Sequence, residues 1–417
     1  MEARFSDPHY VSQTSSSTNL SNAAGRRALI VGAGPAGLRA AVEMCLLRCD
    51  KIVVLEKRNT FNRVNVMRIH TKDMDELVHQ LGARDFYRKI CVQDRDVVAI
   101  RRMQIVFMKM ALCLGAEIIP QAELAGIEPD KDTPYWTART TTSTPHDLKC
   151  NTLVLAGGEK SKLSSDFGFS RTSFRAGVAT GITCNFVPSH SPAAADAMQG
   201  GVVSYLSAPF FNSLKEKGLD LENLASYITE ESHYLVMTPK RSTLLNKGIV
   251  KEDRADPVEL VQRDNVDRDN LLKFAREVAT MAGVPPDSEF LQTTSSKGGP
   301  PRPDVAIFDF TGKTCATEPS KAITSTFTPP GSNTRHPKTL LVALVGDALV
   351  EPFWPMGTGW ARAVGSCKAL GDCLRELGPD PLKWGERVEA VLKAHAEQYI
   401  VLKSESYAPM TNVMGSS

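Results

Sequence analysis

Residues 27–48, RALIVGAGPAGLRAAVEMCLLR, pass from a β-rich run through three glycines into a helical pattern, and residues 50–58, DKIVVLEKR, follow as a second apolar strand. Strand, tight turn, helix and second strand make a βαβ unit, with parallel strands and a right-handed crossover. Gly32, Gly34 and Gly37 give the spacing G-x-G-x-x-G at the junction. The first glycine permits the turn, the second lets a pyrophosphate approach the backbone, and the third lets helix pack on strand. The free N–H groups and partial positive charge of the helix start favour phosphate. Glu56 closes the second strand about 20 residues on, where a carboxylate accepts hydrogen bonds from a ribose diol. Arg58 lies two residues further, in reach of an adenosine. Together these features predict a dinucleotide site. The loop alone leaves FAD and NAD(P) both open.

Working outward, helical spacing of apolar residues predicts helices over 73–82 and 101–114, EIIPQAEL (117–124) reads as a short strand, and TLVLAGG (152–158) as a buried strand ending in two glycines. From about 171 the pattern changes. Residues 179–187, 201–207 and 232–240 read as strands of a largely antiparallel sheet, with helices near 209–217 and 267–281. Residues 293–302 and 328–338 are rich in Pro, Gly and Ser and read as loops. TLLVALVGDALVEP (339–352) then resumes the parallel-strand character. The expected fold class is α/β: a Rossmann-like domain with a parallel sheet over 26–170 and 328–417, interrupted by a mostly antiparallel β-sheet with helices over 171–327. Residues 1–25 form a polar tail.

Composition narrows the field. The chain has 417 residues, 42% hydrophobic and 23% charged, as in an ordinary globular protein of more than one domain. Its net charge of +2 gives no reason to expect nucleic acid or an acidic membrane as partner. Nine cysteines occur without a C-x-x-C pair, so no metal site is expected. Several, Cys113 among them, sit in apolar runs and read as small buried hydrophobes. With no signal peptide and no stretch of about 20 apolar residues, a cytoplasmic location is expected.

VGDALVEPFWPMGTGWARA (345–363) favours FAD of the two nucleotides. A buried strand ends at Gly346-Asp347, and a Pro-interrupted turn precedes a helix opening near Gly357–Gly359. Asp347 is placed to bind hydroxyls in the middle of FAD, and the helix start to face the pyrimidine edge of the flavin, where reduction puts negative charge. Trp354 lies in the irregular segment before that helix. Its position allows either core packing or a place beside the isoalloxazine.

The segments LEKRNTFNRVNV (55–66), GLDLENLASYITEESHYLVMTPKRSTLLNKGI (218–249), PDVAIFDFT (303–311) and LLVALVGDALVEPFWPMGTG (340–359) resemble the flavin monooxygenase domain of the MICAL proteins, relatives of the aromatic hydroxylase flavoproteins. The resemblance runs from about 27 to 375. It implies an NADPH-dependent FAD monooxygenase that oxidises methionine side chains of actin to sulfoxide, promotes filament disassembly, and releases peroxide without substrate. It thereby extends the expected location to the cytoskeleton. The family's acid-Lys-Arg run falls on Glu56, Lys57 and Arg58, and its Arg-Asn-Asn triplet on Arg63, Val64 and Asn65. Its flavin-contacting Tyr and Asp fall on Tyr234 and Asp347, and its flavin-side Trp on Trp354. The cofactor set on this reading also includes Gly32, Gly34, Ala36, Gly37, Arg101, Ala122 and Gly357. Asn65, Tyr234 and Trp354 are the residues expected at the reacting atoms. Val64, His70–Lys72 and Trp360 depart from the family pattern. The calponin-homology, LIM and coiled-coil modules of animal MICALs are not among these 417 residues, so filament targeting is expected from this domain or from another protein.

The chemistry implied is reduction of FAD by NADPH, addition of O₂ to give a C4a-hydroperoxide, and attack by a thioether sulfur. Sulfur is already nucleophilic, so no side-chain base is required and no paired carboxylates are expected. His70 and His233 read as structural, His233 on the strand face opposite Tyr234. One glycine motif leaves NADPH without a nucleotide fold of its own, so it is expected to bind transiently between the domains. Three other readings share the scaffold: a small-molecule hydroxylase, a peroxide-producing NADPH oxidase, and a non-catalytic flavin-bearing scaffold that binds actin.

Overall fold

A computed structural model describes residues 25–69, 77, 81, 97–141, 148–175, 179–188, 202–204, 208–228, 231–294, 299–352 and 358–414. Most of the expected helix at 73–82, His70–Lys72, Trp354, Gly357 and almost all of the polar tail lie outside these residues.

The chain opens as the glycine motif requires. Strand β1 (Arg27–Val31) leads through the glycine turn into helix α1 (Pro35–Leu46), and β2 (Lys51–Glu56) returns parallel to β1. Helix α2 (Ile100–Cys113) buries the stripe Met103, Gln104, Phe107 and Ala111, and β3 (Glu117–Pro120) follows. Cys113, expected inside, is exposed, because it lies off that stripe. The expected strand 117–124 is really two. It stops at Pro120, Gln121 takes a positive φ of 56°, and a new strand starts at Leu124 in a small three-stranded sheet with Trp136–Thr140 and Lys149–Cys150. Strand β4 (Thr152–Leu155) then pairs parallel with β1.

The chain leaves this layer through β5 (Arg171–Arg175) and builds a five-stranded sheet from β6 (Thr180–Phe186), β7 (Val202–Ser204), β8 (Leu221–Ile228), β9 (His233–Pro239) and β10 (Val305–Asp309), in the order β7-β8-β9-β6-β10. All its pairs are antiparallel. Between its strands come α3 (Ala208–Glu216) and α4 (Arg268–Met281). The Asp267 side chain caps α4 by accepting from the N–H groups of Asp269 and Asn270. Helix α4 buries Leu271, Phe274, Ala275, Val278 and Ala279, the 3.6-residue stripe of an amphipathic helix, against one face of the sheet.

The chain returns through β11 (Gly312–Ala316), which pairs with β5 as a two-stranded ribbon. Next come β12 (Ser320–Phe327) and β13 (His336–Leu344), an antiparallel hairpin. This corrects the expected loop at 328–338: β13 starts at His336. It also bears on the expected end of the insertion at 327, because β12 pairs with β13 as the edge strand of the first sheet. That six-stranded sheet runs β12-β13-β4-β1-β2-β3, parallel apart from β12. Lys338, buried in β13, explains why the hairpin extends so far. Its ammonium donates to the carbonyls of Asp130, Thr133 and Tyr135, tying the small sheet to the large one. Helices α5 (Gly359–Leu377) and α6 (Val388–Met414) close the chain. Tyr399 and His395 of α6 bond the Ala316 carbonyl and the Ser320 hydroxyl.

Candidate cofactor and substrate site

The first glycine turn is built as its spacing demands. Gly32 has a φ of +109°, and a Cβ there would lie 2.6 Å from the Ala156 carbonyl oxygen of the neighbouring strand end. A Cβ on Gly37 would lie 1.9 Å from the Gly32 carbonyl oxygen, so only glycine lets α1 approach the turn. A Cβ on Gly34 would meet nothing within 4 Å. Gly34 therefore faces open space at the start of α1, where N–H groups are free for an anion.

Glu56 braces this cradle. One carboxylate oxygen accepts from the Ala33 N–H at 2.9 Å and the other from the Arg58 N–H at 2.9 Å. Each oxygen keeps a lone pair for a further donor. Gln104, which the sequence did not single out, donates to the Ala33 carbonyl at 3.0 Å from α2. Ala122 is buried, and its N–H bonds the Glu56 carbonyl. Lys57 and Arg58 are exposed at the rim.

The second turn meets the first. Gly346, with φ +60°, begins a short 3-10 turn through Asp347, and a Cβ there would come within 2.5 Å of the Ala36 Cβ. Its N–H bonds the Ser366 hydroxyl of α5 at 2.9 Å, and the Cys367 thiol of α5 bonds the Ala36 carbonyl at 3.3 Å. So residues more than three hundred positions apart line one crevice at the C-terminal ends of β1 and β13, where ligands of parallel sheets bind. At the head of α5 the Thr358 hydroxyl oxygen is buried without a hydrogen-bond partner. It sits at the N-cap of a 19-residue helix, which can accommodate an acceptor carrying negative charge. Trp360, the second residue of the helix, is buried against Phe107, with ring centroids 5.3 Å apart.

The insertion supplies the facing wall. Alternate residues Cys184, Phe186, Leu235 and Met237 pack under the helices, so Asn185 and Tyr234 turn to the other face. In register across the strands run Tyr227, Tyr234 and Asn185, with Asp304 next at the start of β10. Tyr227 and Tyr234 stack at 5.8 Å. Ser232 donates to Asn185 Oδ1 at 2.6 Å, and Asn185 Nδ2 donates to Asp304 Oδ2 at 2.9 Å. Tyr234 reaches across to the side chain of Asn65. The expected pair Asn65 and Tyr234 is thus brought together. His233 lies on the opposite face as expected, bonded to Ser226 at 2.8 Å. Burial holds its pKa down to about 4.

The segment carrying Asn65 is fixed from behind. The N–H groups of Ile100 and Arg101 donate to the carbonyls of Asn65 and Arg63, seating the segment on the start of α2. The Arg101 side chain is exposed. Val64, where the family pattern has a polar residue, is buried. Arg63 is exposed at the meeting point of three acidic groups. Burial raises the pKa of Asp347, Tyr234 and Asp304, and the Arg63 charge partly offsets each rise. Arg102 of α2 pairs with Glu231 in the β8–β9 turn at 3.2 Å, joining the two layers directly.

Comparison with known proteins adds to this geometry. A family model described as "Mical, Rossman domain" matches residues 178–309, the antiparallel sheet with its helices. The chain is 39% identical over 350 residues to the protein-methionine sulfoxide oxidase mical3a of Danio rerio, a match covering 81% of this chain and 16% of that protein. It is also 39% identical over 348 residues to the [F-actin]-monooxygenase MICAL2 of Rattus norvegicus, covering 81% of this chain and 17% of the relative. The chain belongs to the MICAL family. It spans less than a fifth of the length of these MICAL relatives. The fold is shared with the crystal structure of CtdE in complex with FAD and substrate, at a TM-score of 0.56 and 13% identity, covering 94% of this chain and 90% of CtdE. In this MICAL-type chain no group of His, Cys, Asp and Glu that could hold a metal ion occurs among the described residues. No helix among them is long and apolar enough to cross a membrane.

Proposed function

We propose that this chain binds FAD in the crevice between the two glycine turns and, with NADPH as electron donor, oxidises methionine side chains of actin to sulfoxide. The observation that carries the reading is the identity of about two residues in five, over 81% of this chain, with chains named F-actin monooxygenase or methionine sulfoxide oxidase. Three features of the crevice fit the cofactor: the open space at Gly34, the contact between the Gly346 turn and Ala36, and the unpartnered Thr358 hydroxyl.

Bound FAD would supply the redox chemistry and the activation of O₂. The protein's part is to hold and shield. Gly34 and the start of α1 would take the pyrophosphate, Glu56 the ribose and Asp347 the hydroxyls of the central chain. The start of α5 would stabilise negative charge at the flavin's pyrimidine edge. Tyr234, held by Asn65 and stacked on Tyr227, would fix the height of the insertion's wall above the ring and keep water out. A thioether needs no deprotonation, which agrees with a wall of hydrogen-bonded groups rather than a free base. Trp354 and Gly357 remain proposed members of this site.

The test is NADPH consumption and peroxide release by the purified protein with and without F-actin, with mass spectrometry of actin methionines. Actin-stimulated consumption with new sulfoxide is expected. Peroxide release unchanged by actin and without sulfoxide would overturn the actin reading and leave an oxidase.

A further inference from the structure

Trp360 departs from the MICAL pattern, and its burial is only half explained by packing. The residue is 2% exposed. Its ring lies against Phe107 of α2, one turn beyond Gln104, which holds the Ala33 carbonyl of the glycine turn. The packing accounts for the ring but not for the nitrogen. Trp360 Nε1 is buried with no hydrogen-bond partner among the described residues. An unpaired buried donor is costly, and native proteins rarely keep one without a use.

The Thr358 hydroxyl, two residues earlier, has the same deficit. A threonine at a helix N-cap ordinarily turns its oxygen back onto the first turn from an extended backbone. Thr358 instead has φ −86° and ψ −1°, and its side chain makes no cap bond. Side chains on a helix lean toward its N-terminus, so an indole in the first turn covers the residues ahead of its own Cα. That lean carries Trp360 toward the head of α5. The head in turn abuts the second cofactor turn: a Cβ on Gly359 would lie 3.5 Å from Pro352 Cγ, and Ser366 of the same helix bonds the Gly346 N–H. The first N–H groups of a helix also lack partners within it. Indole and backbone N–H groups only donate, and a hydroxyl can donate, so this set calls for an acceptor oxygen.

We propose that Trp360 Nε1 and the Thr358 hydroxyl form a donor pair at the head of α5 that holds an oxygen on the pyrimidine edge of the bound flavin, the indole directly or through one water. Reduction puts negative charge on that edge, so both bonds strengthen in the reduced state. The proposal rests on the FAD reading above and adds two side chains of this chain to the helix start.

The test uses the full chain and two variants that remove a polar atom and keep the shape, Trp360→Phe and Thr358→Val. FAD affinity is followed by quenching of flavin fluorescence, and the reduction potential of the bound flavin by equilibration with a redox dye. Trp360→Phe keeps a ring against Phe107 and loses the N–H. It should bind FAD about threefold to tenfold more weakly, the worth of one hydrogen bond, and at a more negative potential. Thr358→Val should move both quantities in the same direction. Lost ring volume alone would lower the melting temperature equally with and without FAD and leave affinity and potential unchanged. Wild-type affinity and potential in either variant overturn the pair. Should Trp360→Phe not fold, Thr358→Val decides by the same two measurements. Failure of the wild-type chain to bind FAD would instead overturn the cofactor reading, and this inference with it.

Discussion

The two walls of the crevice are made by different means. The wall at Gly32–Gly37 is backbone, shaped by the lack of side chains and by N–H groups that Glu56 and Gln104 hold in place. The wall at Tyr227, Tyr234, Asn185 and Asp304 is a row of polar side chains assembled across three strands and the start of a fourth. A backbone wall follows from a few adjacent residues and tolerates almost no substitution where it is tight. A side-chain wall depends on distant partners and fails by degrees, one hydrogen bond at a time.

Substitutions in the glycine turn should break that contrast most sharply. Gly37→Val should prevent folding, at a cost above about 4 kcal/mol, because its Cβ would lie 1.9 Å from a carbonyl oxygen in a rigid turn. Gly34→Val should instead melt near the wild-type temperature yet retain no FAD, since its side chain enters only the open phosphate path. Circular dichroism and flavin absorbance after purification separate the two. A yellow Gly34→Val protein would refute the cradle.

Acid tests the insertion next. His233 is buried and neutral, with a folded pKa of about 4 against 6.5 unfolded. The unfolded chain therefore binds the proton first. Its stabilising effect is complete above about pH 6.5 and falls away toward pH 4, by about 3 kcal/mol. His395, held down to about 4 by burial against β12, should act in the same direction from α6. Denaturant melts across this range should show the loss, and His233→Gln should remove part of it.

Asn185→Ala would leave the Ser232 hydroxyl and the Asp304 carboxylate each short of a partner, for about 2–3 kcal/mol. Unlike the glycine substitutions, it should leave a folded protein that still binds FAD, measurable in the same melts. Arg102→Ala should be mildest, at most about 1 kcal/mol, because the pair with Glu231 is partly solvated. A double-mutant cycle with Glu231→Ala would give the coupling across the two layers.

The same contrast explains what could be read beforehand. The glycine turn, Glu56, both parallel strands and the turn at Gly346 were legible because each lies within one short stretch whose spacing has a steric cause. The joining of Tyr234 to Asn65 came through resemblance, since no local pattern links positions 65 and 234. The Asn185–Asp304 chain went unread, although Asp304 lies in a segment quoted for its likeness to the family. The break at Gln121 and the early start of β13 were missed because a positive φ and a buried lysine serving three carbonyls depend on neighbours distant in sequence.

The sequence by itself determined a βαβ nucleotide turn, an interrupting antiparallel sheet and a second turn aimed at the same ligand, because period, glycine spacing and strand composition act over tens of residues. Tertiary structure alone decided which polar groups meet. It set Gly346 on Ala36, faced Tyr234 toward Asn65, and paired Glu351 with a buried Lys313. The physical reason is that a backbone conformation is paid for locally, whereas a charge or hydrogen bond takes its strength from burial, and burial is a property of the whole fold.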